Sequence, residues 1–207
     1  MSIYGPLTSA AELEQAVVDT LQKWFPTYLT EYELQAGLIP DRNTPPKHPA
    51  PKAWLTADQL DRSAADALPA VVVVSPGLSK TAPKQEGDGS FRVFFSIGIG
   101  VFVSSNTRPD TIALVRVYTA ILRTIMLQKQ SLDGVADGCT WIDESYDDNF
   151  PFTDDQTMSA GQVVFEITIA GFVNRFAGPT TPDPDPSQPG SDWPLAETVM
   201  ATVETED

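Results

Sequence analysis

The side chains with chemical potential are few, and the densest group is acidic. Asp143, Glu144, Asp147, Asp148, Asp154 and Asp155 all fall within residues 143–155. Clustered carboxylates suit hard cations, and two of them could serve glycoside hydrolysis. An EF-hand loop counted from Asp143 requires Gly at its sixth place and Glu at its twelfth, where this chain has Asp148 and Asp154. No two of the six stand apart as an acid–base pair. The cluster therefore reads as a solvated loop, or a rim that repels phosphate or receives a basic partner. Ser79-Lys80-Thr81 follows a β-branched run in the order of a phosphate-binding loop, but Gly is missing before Lys80 and the neighbouring Ala82-Pro83-Lys84 suits a hairpin. Ser75, before Pro76-Gly77, lacks the Gly-x-Ser-x-Gly pattern of a nucleophile elbow. His48, the single histidine, sits beside Lys47 and reads as exposed and unpaired. Cys139, the single cysteine, reads as a structural thiol, because no basic neighbour lowers its pKa. One cysteine excludes an intrachain disulfide and any Cys-rich zinc site.

Composition narrows the function classes further. The chain has 207 residues with a net charge of −15, and hydrophobic residues make up 42%, enough to build a core. Residues 179–207 hold seven acids and no Lys or Arg, leaving 21 acids against 13 bases in residues 1–178. A protein that grips nucleic acid through phosphates needs a basic footprint, and neither part supplies one. An acidic surface still suits a passage through which DNA must slide. Apolar runs fall far short of the ~20 residues that cross a bilayer. The first residues, Met1-Ser2-Ile3-Tyr4-Gly5-Pro6, lack a basic start and an apolar stretch, so no secretory signal is expected.

The elements that must position these groups are legible in part. Ser9 and Glu12 form a capping box for a first helix, with Leu13, Val17, Leu21 and Trp24 on one face. Pro26 is expected to stop it. Residues 28–34 are either a short strand or a second helical piece, ended by Gly37. Five prolines in residues 40–52 bar a central strand and predict a long surface loop or arm. A short helix is expected near 57–67. Ala70–Val74 and Phe91–Val103 read as strands joined by a hairpin loop, 75–90, carrying Lys80 and Lys84. Thr107, Pro109 and Asp110 open the clearest helix, with Leu114, Tyr118, Ile121 and Ile125 as its core stripe. Arg116 and Arg123 lie on its other side and read as a solvated or salt-bridging face. Cys139–Ile142 is expected to be a strand leading into the acidic loop. Gln162–Ala170 alternates, with Val163, Phe165, Ile167 and Ile169 on one face.

The order predicts an α+β fold: a small antiparallel sheet of four to five strands with helices on one face. Residues 1–178 would form the domain, with the Pro-rich arm at 40–52. Residues 179–207 would form a flexible acidic tail. In the long strand, Phe91 and Phe95 share one parity while Phe94 and Phe102 share the other. Two apolar sheet faces require two covers; a second subunit is a natural one, with the arm or the tail as alternatives.

Five segments carry a family resemblance. They are Trp24-Phe-Pro-Thr-Tyr-Leu29 with Glu31, Leu68-Pro-Ala-Val-Val-Val-Val-Ser-Pro-Gly-Leu78, Gly87-Asp-Gly89, Trp141-Ile-Asp-Glu-Ser-Tyr-Asp-Asp148 and Ala160-Gly-Gln-Val-Val-Phe165. Together, over roughly residues 10–178, the chain resembles the tail terminator proteins of long-tailed, non-contractile phages, particularly those of actinobacteria. None of the segments is a catalytic signature, and the Pro-rich arm and acidic tail are not part of the general family pattern.

The resemblance implies a small α+β protein that assembles as a hexameric ring on the finished tail tube. Such a ring stops tube polymerisation and presents a surface to the head-completion (stopper) proteins of the neck. Double-stranded DNA passes through its lumen without specific binding. It implies a virion location in the neck of the tail after assembly in the host cytoplasm, and no enzyme activity, cofactor, metal or membrane. The alternatives are another head–tail connector, a tail-tube component, or, more remotely, a small acidic hydrolase using the 143–155 carboxylates. The expected subunit or partner contacts are Lys80, Lys84, Arg108, Arg116, Arg123, Asp143, Glu144, Asp147 and Asp148. The three arginines would meet acids of a neighbouring copy.

Overall fold

The fold is that of a computed structural model in which residues 9–62, 67–87, 90–105, 107–153 and 156–172 are described. It is α+β, with two helices on one face of a six-stranded, mostly antiparallel sheet. Helix α1 spans Ala10–Gln35 and α2 spans Arg108–Gln128. The strands are β1 (Ala53–Thr56), β2 (Ala70–Leu78), β3 (Lys84–Gln85), β4 (Phe91–Ser104), β5 (Gly138–Thr153) and β6 (Gln156–Phe172). Their spatial order is β1-β2-β4-β6-β5, with β3 beside β4. Among the described residues, only the β1–β2 pair is parallel. The tail expected at 179–207 lies outside the described residues.

Both helix starts follow their capping residues. Ser9 Oγ accepts from Glu12 N at 3.2 Å, and the Glu12 carboxylate accepts from Ser9 N at 2.8 Å. The bond from Ser9 N, foremost, and a second from the Ser9 hydroxyl to Glu12 Oε2 at 3.1 Å hold the Glu12 carboxyl below its ordinary range. Thr107 Oγ1 accepts from Asp110 N at 3.3 Å. Proline does not stop α1, contrary to expectation: the helix runs through Pro26 to Gln35. Leu21, Phe25 and Leu29 are buried on either side of the proline, and the Phe25 ring meets Trp54 and Tyr118 edge-on, with centroids 5.6 and 5.3 Å away. An interior proline costs roughly 3 kcal/mol, whereas a buried aromatic or leucine side chain contributes ~1.5–3 kcal/mol each. Packing therefore outweighs the break. Gly37, at φ +66°, ends the helical run as expected.

The core lies between helices and sheet. On β4, Val93, Phe95, Ile97, Ile99, Val101 and Val103 all face it, and Val163, Phe165, Ile167 and Ile169 do the same on β6. Helix α2 crosses β6 at Gly161, where a β-carbon would collide with Thr119 Oγ1 and stand 3.1 Å from Val115 Cγ2. A glycine there lets helix and strand come close.

Three segments differ from expectation. Residues 143–153 are not a loop but the second half of β5, paired with β6 to within a turn of its end. Register shifts after Trp141, Asp147 and Pro151 break the alternation that would have announced a strand. Strand β2 runs on to Leu78, past the expected end at Val74, so the loop from 75 shrinks and includes β3. Residues 40–52 are not a free arm. The loop returns over the domain, Pro51 is buried, and Lys52 N donates to Pro69 O at 2.7 Å. The helix expected at 57–67 is a 3-10 segment at Ala57–Arg62.

Candidate interaction surface

The candidate contact residues fall into three groups, set by the strand faces. The first lies where α2 meets β5. Residues paired across antiparallel strands share a face. Trp141 opposes core-facing Phe165, and Glu144 opposes core-facing Val163, so both turn toward α2. Arg123 Nη1 donates to Glu144 Oε2 at 2.5 Å, and its guanidinium lies 4.9 Å from the Trp141 ring centroid. Tyr146 OH donates to the other oxygen of Glu144. Burial, then that hydrogen bond, pushes the Tyr146 phenol up to about 12. Arg116 lies 5.8 Å from the Tyr146 centroid. The acid that meets Arg123 therefore belongs to its own chain. Trp141, Ile142 and Tyr146 remain 44%, 58% and 40% exposed, giving this edge an apolar outer surface.

The second group lies on the sheet face that no helix covers. The irregularity after Trp141 splits the acidic run. Asp143 opposes Val164 and Asp147 opposes Ala160, which places both on the open face, away from Glu144. The Asp148 side chain, Asp154 and Asp155 lie outside the described residues. Between β2 and β6 the open face forms a shallow groove of about 420 Å³, lined by Val72, Val74, Gly98, Gly100, Phe102 and Ala160, with Asp147 at its rim. Phe94 shares this face but is only 8% exposed. The segment after β2 covers it, with Ser79 N donating to Phe94 O at 2.7 Å and Lys84 Nζ lying 5.8 Å from its ring centroid.

The third group is the lysine end. Ser79 Oγ and Thr81 Oγ1 both donate to Glu166 Oε2, at 2.7 and 2.6 Å. Lys80, between them, is exposed. The Ser79-Lys80-Thr81 motif is thus a strap fastened to the open sheet face, with no helix following it. Lys84 opposes Arg92, which is paired with Glu86 at 2.6 Å. Lys80 lies on the strap over the open face and Lys84 on β3, beside the start of β4, while β1 and β5 form the two edges of the sheet. Arg108 lies at the exposed start of α2.

His48 is not the unpaired residue expected. Its backbone N and its ring Nδ1 lie 2.8 and 2.7 Å from Glu33 Oε1, and Lys47 N donates to Glu33 Oε2 at 2.6 Å. Glu33 is fully buried. Burial raises its pKa, but the three hydrogen bonds and the nearby His48 outweigh that and hold the carboxyl below its ordinary value. A second buried acid, Glu14, accepts from Ala57 N at 3.1 Å and Ser75 N at 2.6 Å. Both acids satisfy loop and strand amides, work for which no sequence motif exists. Cys139 is buried, which pushes its thiol up to about 12.

A further cleft of about 460 Å³ separates the outer faces of α1 and α2, beside Tyr28, Glu31, Tyr32 and Gln128. Tyr28 OH donates to Gln128 Oε1 across it at 2.6 Å. Among the described residues, no three His, Cys, Asp or Glu side chains converge to hold a metal ion. No helix among them is long and apolar enough to cross a membrane. Compared with family models and with curated proteins, the chain matches none.

Proposed function

We propose that this protein is a structural component of a phage virion: a tail terminator that closes as a hexameric ring on the tail tube, ends tube growth and receives the head-completion proteins. One observation carries the reading furthest. The two edges of the sheet differ in kind: β5 is long and presents exposed Trp141, Ile142 and Tyr146 beside Asp143, whereas the opposite edge is the short strand β1, Ala53–Thr56. Edges of unlike chemistry favour head-to-tail contacts between copies, and head-to-tail contacts that close make rings. A net charge of −15 suits a lumen that DNA must pass without holding. The resemblance over residues 10–178 adds the biological setting, and the α+β fold is compatible with it. In the ring, the apolar β5 edge of one copy packs against an unlike surface of the next.

The test is electron microscopy of lysates from a phage deprived of this gene. Unattached tails of excessive, irregular length support the reading, because tube growth has lost its stop. Tails of normal length beside DNA-leaking heads overturn it in favour of a head-closure protein.

A further inference from the structure

The groove on the open face is lined largely by apolar side chains. Val72, Val74, Phe102 and Ala160 form an apolar strip there, although strand faces turned to water ordinarily alternate to polar residues. Its floor includes Gly98 and Gly100, over which the Gln162 amide and the Phe102 ring lie, so the groove is shallow and open to a segment laid across it. Residues 173–207 lie outside the described residues and leave from the end of β6, the strand whose beginning lines this groove. Their sequence has two parts. Residues 179–190 alternate proline with polar residues, a composition of extended spacers. Beyond it stands Ser-Asp-Trp-Pro-Leu-Ala-Glu-Thr-Val-Met-Ala-Thr-Val, residues 191–203. Leu195, Val199 and Val203 recur at intervals of four, the spacing of one helix face, and Ser191 or Asp192 with Pro194 supply start signals. Glu197 and Glu204 fall on the opposite side of that stripe.

We propose that residues 191–203 of the same chain dock in this groove, with Leu195, Val199 and Val203 against Val72, Val74 and Phe102. The reach suffices. From Phe172 back along β6 to Ala160 is about 40 Å at ~3.3 Å per residue, and residues 173–191 extend to about 60 Å at the same rise. Glu197 and Glu204 then face water, which avoids setting them against Asp147 at the rim. An amphipathic helix laid in an apolar groove is a general recognition mode, read from anchors at i, i+4 and i+8. Docking removes from water both the strip on the sheet and the stripe on the segment. This proposal concerns the single chain and stands apart from the ring contact, which uses the sheet edges.

The experiment uses the full chain in solution. Gln162, exposed beside the groove, and Leu195 are replaced together by cysteine in a Cys139→Ala background, and a short bis-maleimide is added. The expected result is a crosslink within one chain, identified by peptide mass spectrometry, at least fivefold above a control pair using Gln15→Cys on the helix side. Crosslinks only between chains would give the groove to another copy and overturn the same-chain assignment; equal yields in both pairs would overturn docking itself. A second measurement leaves the cysteine background aside. Leu195→Asp with Val199→Asp in the otherwise natural chain is expected to raise the fluorescence of an apolar-surface dye severalfold at unchanged circular dichroism. An unchanged signal overturns the proposal.

Discussion

The carboxylate of Glu33, with no solvent exposure, sits 2.7 Å from Nδ1 of His48, and the two residues lie on opposite sides of the turn that leaves α1. The Pro-rich loop is anchored at this point. Tyr118 OH reaches the carbonyl of Pro49 from α2, and burial, with the Glu33 charge adding to it, drives the Tyr118 phenol well above its usual range. The loop is thus gripped from both helices.

Replacing Glu33 with Ala leaves the Lys47 and His48 amides without their acceptor. The expected loss is about 3 kcal/mol, since unsatisfied polar groups cost ~1–3 kcal/mol each and the packing also changes. Urea unfolding at neutral pH measures it, and a loss below about 0.5 kcal/mol would show that the loop is not held here. The pH dependence follows from the sign of the shift. Because the folded carboxyl titrates lower than an unfolded glutamate, its contribution is complete above pH ~4.3 and declines as pH falls through the folded value. The Glu33→Gln variant should therefore lose less stability than the natural protein between pH 5 and acid, which thermal melts across that range would reveal.

Arg123 and Glu144 are 29% and 14% exposed, so their pairing is partly shielded from water. A double-mutant cycle with Arg123→Ala and Glu144→Ala should give a coupling of about 1 kcal/mol. It should weaken with added salt. Arg123→Ala should also change the emission of Trp141, on whose ring the guanidinium lies. A coupling of zero would mean that the two side chains stabilise the α2–β5 contact independently.

Gly161→Ala inserts a methyl group where α2 crosses β6. Thr119 Oγ1 occupies that position and already donates to Val115 O at 2.7 Å, so it cannot yield freely. Overpacking of this kind costs ~1–3 kcal/mol. Thermal unfolding should show a drop of several degrees. Combining Gly161→Ala with Thr119→Ser, which keeps the hydroxyl, should recover little, whereas Thr119→Ala should recover part.

Cys139 should resist thiol reagents. Only thiolate reacts, and burial holds the group protonated at all ordinary pH. Iodoacetamide at pH 8 should label the native chain at least a hundredfold more slowly than the urea-unfolded chain. Rapid native labelling would mean that β5 opens at its start.

How far the sequence reveals this molecule depends on where the information is local. Caps at Ser9 and Thr107 act on neighbouring amides, and the alternation from Val163 to Ile169 reports one sheet face; these features are readable in short windows. Pro26 misleads because the decision there belongs to Phe25, Trp54 and Tyr118, which meet only after folding. The second half of β5 is hidden because three register shifts scramble its period. Within the candidate surface, Arg123 and Glu144 are each visible as charged residues, but nothing in their spacing says that they face each other. Glu33 and Glu14 look like surface acids on a helix, and only the returning loop and β2 turn them into internal acceptors. The groove is likewise invisible, since it is assembled from β2, β4 and β6.

The placement of β6 between β4 and β5 has a consequence for how the chain reaches its native state during synthesis. Residues Phe91 and Phe172 form one end of the β4–β6 pairing, and Ser104 and Met158 the other, so α2 and β5 must be made before β4 finds its second neighbour. Until then β4, with its row of valines, isoleucines and phenylalanines, has one unpaired edge, and β5 has no partner at all. Such non-local pairing slows folding, and exposed strand edges invite association with other chains. The emerging polypeptide therefore passes through a vulnerable interval that ends only when β6 clears the ribosome. Slower translation before residue 156 should lengthen that interval and lower the soluble yield.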